Sequence, residues 1–297
     1  MKSQEATSQV VSFYRQSISQ NLKIIKKILK TFEIDDEPIT TTSQDILTDS
    51  SKLISSKWLE ERKYLRSNFI LEGFGELYPT SILQLSVNID AMINILDDLL
   101  DENINNEIKT LYIFEFLRIF SIYSYKSKKI EINDLMGNYI NKLITLAVSE
   151  SYYLKQIKNN LDLEYVMQAS IKTLTLRSLD IDVFVELVMQ TLGIYDKNEF
   201  NIIRMSSRLF RAVNILKKDI DDIDYDIKNE QETLVTYIKL TSKFNYCDYV
   251  TNLCEYYIKQ MDNLSEKYNS KNKRVILPIK NFQHMLNKDI KIIKNSI

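Results

Sequence analysis

The sequence predicts an all-α domain, and three observations predict it. Gly and Pro are scarce, at 4 and 3 among 297 residues, whereas sheets with tight turns need glycine and helices tolerate little of either. Apolar residues recur at helical spacing along nearly the whole chain. Beyond residue 50 the stretches that interrupt this spacing are short.

Residues 4–31 open the pattern with Val10, Val11, Phe13, Tyr14, Ile18, Leu22, Ile25, Ile28 and Leu29. Residues 32–50 break it with Asp35, Asp36, Pro38 and a threonine run, which reads as a loop. A helix follows through Trp58, Tyr64 and Phe69. Gly73, Gly75 and Pro79 then mark a turn. Thr80 or Ser81 is placed to cap the next helix, which runs to about Asp101. Further helices are predicted over about 106–126, 131–159, 162–178, 181–193, 197–228, 231–243, 245–270 and 278–296. No repeat and no second-domain boundary is visible, so residues 1–297 read as a single domain, a helical bundle around one core.

Composition excludes several classes of function. Apolar residues make up 44% of the chain and charged residues 27%, a globular balance. The formal net charge of -1 lacks the electrostatic footprint of a nucleic-acid binder. No stretch reaches the roughly 18 apolar residues of a membrane span, and the polar N-terminus lacks the apolar core of a signal peptide. The only cysteines, Cys247 and Cys254, sit about two helical turns apart, too far for a disulfide. They suit a reducing compartment and a cytoplasmic location. The single histidine, His284, makes neither a triad nor a zinc site.

Two acidic helices carry the chemistry. Ser81–Glu102 is apolar for most of its length and then places Asp97, Asp98 and Asp101 at its C-terminal end. Asp97 and Asp101 share a face, with Asp98 beside them. Like charges at this spacing repel, and carboxylates are disfavoured at the negative end of the helix dipole. A cation offsets both effects, and magnesium suits a site of one or two carboxylates plus phosphate oxygens. Residues 202–228 form the second helix, with an apolar stripe of Leu209, Leu216, Ile220, Ile223 and Ile227. Asp219, Asp222 and Asp226 flank that stripe, while Asn214, Lys218 and Asp222 step four apart on the adjoining face. Either set also fits the solvated face of an amphipathic helix. Together, two carboxylate walls at one mouth of a bundle would clamp a diphosphate through bridging metal ions.

The pair of motifs resembles the class I isoprenoid synthase superfamily, and within it the microbial single-domain terpene synthases. Asp97-Asp98-Leu-Leu-Asp101 fits the first motif of that family, DDxxD, which there binds magnesium above a cavity for the isoprenoid chain. The second family motif, Asn-x-x-x-Ser/Thr-x-x-x-Glu, is similar to Asn214, Lys218 and Asp222. Asn214 matches and Asp222 is conservative; Lys218 departs from the hydroxyl and cannot coordinate magnesium, so Asp219 or Asp226 would complete the shell, or the register differs. Arg177-Ser-Leu-Asp180-Ile181 resembles the diphosphate-sensing segment of bacterial terpene synthases, in which an arginine reads the diphosphate. There an acidic residue three positions on links it to a helix break. An arginine fork suits diphosphate oxygens. Ile181 stands where that family has a small residue, and its C-terminal Arg-Tyr pair is missing, Arg274 being the nearest substitute. The resemblance spans roughly residues 60 to 270.

The resemblance implies a central cavity with Asp97 and Asp222 at one mouth and magnesium, three ions with the diphosphate. Arg177 would stabilise the departing charge, and an apolar pocket, for which Phe69, Phe74 and Phe184 are candidates, would guide the carbocation. The implied substrate is a prenyl diphosphate, farnesyl diphosphate by family analogy, cyclised to a sesquiterpene. A homodimer is left open. Three other readings stand beside this one. A chain-elongating prenyl diphosphate synthase shares DDxxD, but its second DDxxD survives here only as Asp221 in Lys217-Lys218-Asp219-Ile220-Asp221. A squalene or phytoene synthase-like enzyme would use Asp97 with Asp101 and Asp222 with Asp226. A helical partner-binding scaffold would bind no magnesium and no diphosphate.

Overall fold

Helix is the only regular structure among the residues that the computed structural model describes, namely 65–83, 85–87, 89–90, 93–94, 152–159, 162–228, 232–241, 244–267 and 272–297. The delimited helices are α1 (Leu65–Phe74), α2 (Leu163–Arg177), α3 (Asp182–Thr191), α4 (Lys197–Asp221), α5 (Ile223–Lys228), α6 (Leu234–Thr241), α7 (Tyr246–Lys267) and α8 (Lys273–Ser296). Short 3-10 turns lie at Gly75–Leu77, Thr80–Ile82 and Ser178–Ile181. The chain divides into two units, Met1–Phe69 with Thr80–Ile132, and Ile70–Pro79 with Asn133–Ile297. No described helix is long and apolar enough to cross a membrane. The DDxxD segment, Asp97 to Asp101, lies outside the described residues, and with it the Asp97 side of the expected mouth.

In the first unit, Ile82, Val87, Ile89 and Ile93 are buried. Among them is a charged group, Asp90, at 0% exposure. Its Oδ2 accepts from the Ser67 backbone N–H at 2.9 Å, and Arg66 Nη1 lies 3.4 Å from its Oδ1. The same Nη1 donates to Asn94 Oδ1 at 2.7 Å. Burial pushes the Asp90 carboxyl above the usual carboxylate range, against the pull of Arg66 and the Ser67 hydrogen bonds.

The second unit is organised around α4, whose apolar face supplies the buried Ile203, Phe210, Val213 and Leu216. Its largest partner is α8, which contributes Val275, Ile279, Phe282, Leu286 and Ile290. The rings of Phe210 and Phe282 stack at 6.0 Å, and Phe74 meets Phe282 edge-on at 6.2 Å. Around this axis α4 also touches α2, α3, α6, α7 and the Ser178–Ile181 turn.

Side chains set the helix ends. Asp162, Asp196 and Asn272 cap α2, α4 and α8 by accepting first-turn N–H groups. Thr233 and Thr236 exchange hydrogen bonds at the start of α6. Gly193, at φ +70, closes α3: its N–H donates to Gln190 O and that of Ile194 to Met189 O, satisfying two otherwise orphaned carbonyls.

Three sequence expectations shift. The predicted helix 197–228 is interrupted at Asp222, which caps α4 at φ -92, ψ 0 before α5 begins. The last helix starts at Lys273 and carries Pro278 inside it; the Asn272 cap nucleates the helix a turn and a half earlier than the proline suggested. Gly73 belongs to α1 rather than to a turn. A Cβ there would lie 2.2 Å from the Phe282 ring, so glycine is demanded by close packing.

Candidate functional site

The expected helix break after Arg177 is present. α2 ends at Arg177, Ser178–Ile181 forms one 3-10 turn, and α3 begins at Asp182. Within this tighter turn Ser178, Asp180 and Ile181 are buried. Arg177 stands at the last position of α2, where a cation is favoured by the helix dipole.

The short connection from Leu192 to Asp196 returns the chain antiparallel, so α3 and α4 meet with complementary charges in reverse order. Glu186 pairs with Arg204 at 3.6 Å. Both oxygens of Asp182 take hydrogen bonds from Arg208 Nε and Nη2. Asp180 receives Arg211 Nε at 3.0 Å and Nη2 at 2.6 Å. In each of these pairs α4 supplies the arginine. The next pair reverses the polarity: Arg177 Nη1 and Nη2 donate to Asp219 Oδ2 and Oδ1, at 2.5 and 3.0 Å. The bidentate form fits a guanidinium to a carboxylate at two points.

Asp180 thus pairs with Arg211 on α4. Asn214 continues that chain, its Oδ1 accepting from Arg211 Nη1 at 2.8 Å and its Nδ2 donating to Asp289 Oδ2 at 2.9 Å. Lys218 is exposed. Asp219 and Asp226 are each 7% exposed, and Asp222 is half-buried at the end of α4. Burial raises the carboxyls of Asp222 and Asp226 above the usual range. Asp219 raises both further and Lys218 opposes it, so these groups sense one another.

A cavity of about 10 Å³ adjoins the Arg177–Asp219 pair, lined also by Thr173, Leu234, Val235 and Tyr249. That volume is about one water in size and far too small for a prenyl chain. The Thr173 hydroxyl is buried without a protein partner, and Tyr249 shares a 2.7 Å hydrogen bond with Ser170. Towards the other end of α2, an open cleft of about 310 Å³ is lined by Tyr153, Asp162, Glu164, Tyr165, Gln168 and Lys172.

The remaining expected residues are dispersed. Arg274 is exposed at the start of α8 and donates to the Leu192 carbonyl at 3.2 Å. Phe74 and Phe184 are fully buried, Phe74 against Phe282. His284 is exposed, and both cysteines are free thiols, Cys247 exposed and Cys254 buried.

Magnesium can be tested against the side chains present. Asn214 is engaged at both ends, Asp219 is committed to Arg177, and Lys218 is itself a cation. Among the described residues no three carboxylate, histidine or cysteine side chains gather closely enough to hold a metal ion.

The residues that sequence reading missed are Asp182, Arg208, Arg211 and Asp289. The first three carried a signal: a short loop forces α3 and α4 antiparallel, and Asp180, Asp182 and Glu186 face Arg211, Arg208 and Arg204 in mirrored order. Asp289 carried none, since nothing in its neighbourhood marks it as the partner of Asn214. No family model, no curated protein and no solved structure matches the chain.

Proposed function

We propose that the chain is a class I terpene synthase, acting on an allylic prenyl diphosphate, with farnesyl diphosphate as the substrate and a cyclic sesquiterpene plus diphosphate as products. The observation that carries this reading is the placement of Arg177. It ends α2 at a helix break and meets Asp219 on the acidic end of α4, joining two of the segments on which the family resemblance rests. A bidentate partner for one carboxylate is also a bidentate partner for a phosphoryl group. In this reading Arg177 binds the leaving diphosphate, where charge grows during ionisation and a fixed cation lowers the barrier.

Magnesium enters the proposal through Asp97, Asp98 and Asp101, and its contribution when bound would be neutralisation of the leaving group. The test is a melting curve with magnesium and inorganic pyrophosphate, added separately and together. A ligand that binds only the folded state raises the melting temperature, by an amount that grows with its concentration over its Kd. A rise that needs both components supports a diphosphate enzyme. No rise at millimolar concentrations favours the partner-binding scaffold.

A further inference from the structure

Asn214 heads the second motif, where a metal ligand is expected, and each end of its amide holds a charged partner. Its oxygen accepts from Arg211 Nη1 at 2.8 Å, and its amide nitrogen donates to Asp289 Oδ2 at 2.9 Å. The orientation of the amide is fixed by chemistry. Reversing it would set an NH2 group against a guanidinium and an oxygen against a carboxylate.

Beyond Arg211 the chain continues to Asp180 in the turn that breaks α2 from α3, through contacts at 2.6, 3.0 and 3.2 Å. Arg211 and Asp180 are 9% and 7% exposed. Four side chains thus run in line from α8, through α4, to the helix break. Both ends of the line are anionic and its one cation is central, so the charges alternate around the amide.

We infer that Asn214 is a strut and not a metal ligand: with Asp289 and the Arg211–Asp180 pair it fixes α8 and the Ser178–Ile181 turn to α4. A magnesium ion on the Asn214 oxygen would lie within about 5 Å of the Arg211 nitrogen already bonded there, taking roughly 2.1 Å for the metal bond. Two positive centres would then share one neutral oxygen. Lys218, one turn on, places a further cation where the family pattern has a hydroxyl. The contrast with a metal role rests on the proposed diphosphate reading; the strut itself does not.

The experiment is a set of melting curves on the full chain, with and without magnesium and pyrophosphate, for wild type, Asn214→Ala, Asp289→Ala and the double variant. The strut predicts that Asn214→Ala lowers the melting temperature without ligand by about 2–6 °C, because it leaves two charged groups short of a partner. It also predicts that the rise produced by magnesium and pyrophosphate is kept. The double variant should be no less stable than the worse single one, since both remove one interaction. The swap Asn214→Asp with Asp289→Asn preserves a carboxylate–amide pair and should recover most of the loss, which keeps the test open should a single variant fold poorly.

Loss of the ligand-induced rise in Asn214→Ala overturns the inference, whether or not stability falls. An unchanged melting temperature, or additive losses in the double variant, also overturns it. Should wild type show no rise at all, the diphosphate reading fails, and the coupling between positions 214 and 289 still decides the strut.

Discussion

Arg177 and Asp219 are joined by two parallel hydrogen bonds, at 2.5 and 3.0 Å, that tie the end of α2 to the acidic end of α4. The neighbouring pairs between α3 or its preceding turn and α4 all place the arginine on α4. At Arg177 the order inverts, so α4 turns anionic where its run of aspartates begins.

Arg177→Lys separates fork from charge. The lysine keeps a cation but cannot bond two oxygens side by side. Under the proposed function kcat/KM should fall about 10- to 100-fold, as for one or two charge-assisted hydrogen bonds worth roughly 1.5–3 kcal/mol. Melting curves on the same variant check the fold. An unaltered kcat/KM would remove Arg177 from diphosphate binding.

Gly73→Ala tests the packing of α1 on α8. The added methyl would meet the Phe282 ring at 2.2 Å, and that ring is itself held by Phe74 and Phe210. Overpacking of this kind costs about 1–3 kcal/mol, readable as a lower urea midpoint with unchanged slope. Phe282→Leu in the same chain should make the alanine less harmful than it is alone, because the obstructing ring is gone.

Asp90→Ala should be among the most damaging single changes in the first unit. It removes the acceptor of the Ser67 N–H and the anionic partner of the Arg66 guanidinium, which keeps the neutral Asn94 oxygen. Removing one partner of a buried pair costs about 3–5 kcal/mol, and chemical denaturation measures it. A cost below about 1 kcal/mol would show that water reaches Arg66 readily.

Alkaline stability should decline in a defined window. Burial pushes the Cys254 thiol up to about 11 and the Tyr246 hydroxyl up to about 12, and raises Tyr249 and Tyr257 as well. Each folded value lies above the unfolded one, so the stabilisation is complete below the ordinary thiol and phenol values. It is lost as pH climbs from about 9 towards 12. Equilibrium unfolding at several pH values checks this. At pH 8 an alkylating reagent should modify Cys247 and spare Cys254, by mass spectrometry of the native chain.

Among the described residues, helix content and most helix positions were legible in the sequence because apolar spacing and capping residues are local signals. The break between α2 and α3 was legible through the Arg177–Asp180 pattern. The Asp222 interruption was not, because Ile220, Ile223 and Ile227 keep an apolar stripe across it. Pro278 misled for a related reason: a proline inside a helix looks like a start until the Asn272 cap is seen. At the site, sequence brought forward Arg177 and the aspartates of α4 but could not pair them. It grouped Asn214 with Lys218 and Asp222 by spacing along one helix, whereas its partners come from the adjoining turn of α4 and from α8, 75 residues away. Tertiary contacts of that range leave no periodic trace.

The most direct measurement is product analysis by gas chromatography and mass spectrometry after incubation with magnesium and, separately, geranyl, farnesyl and geranylgeranyl diphosphate, each with and without isopentenyl diphosphate. Terpene synthase chemistry predicts a cyclic C15 hydrocarbon or alcohol from farnesyl diphosphate alone, abolished in Asp97→Ala. A longer linear diphosphate formed only with isopentenyl diphosphate, or no product from any substrate, would contradict it.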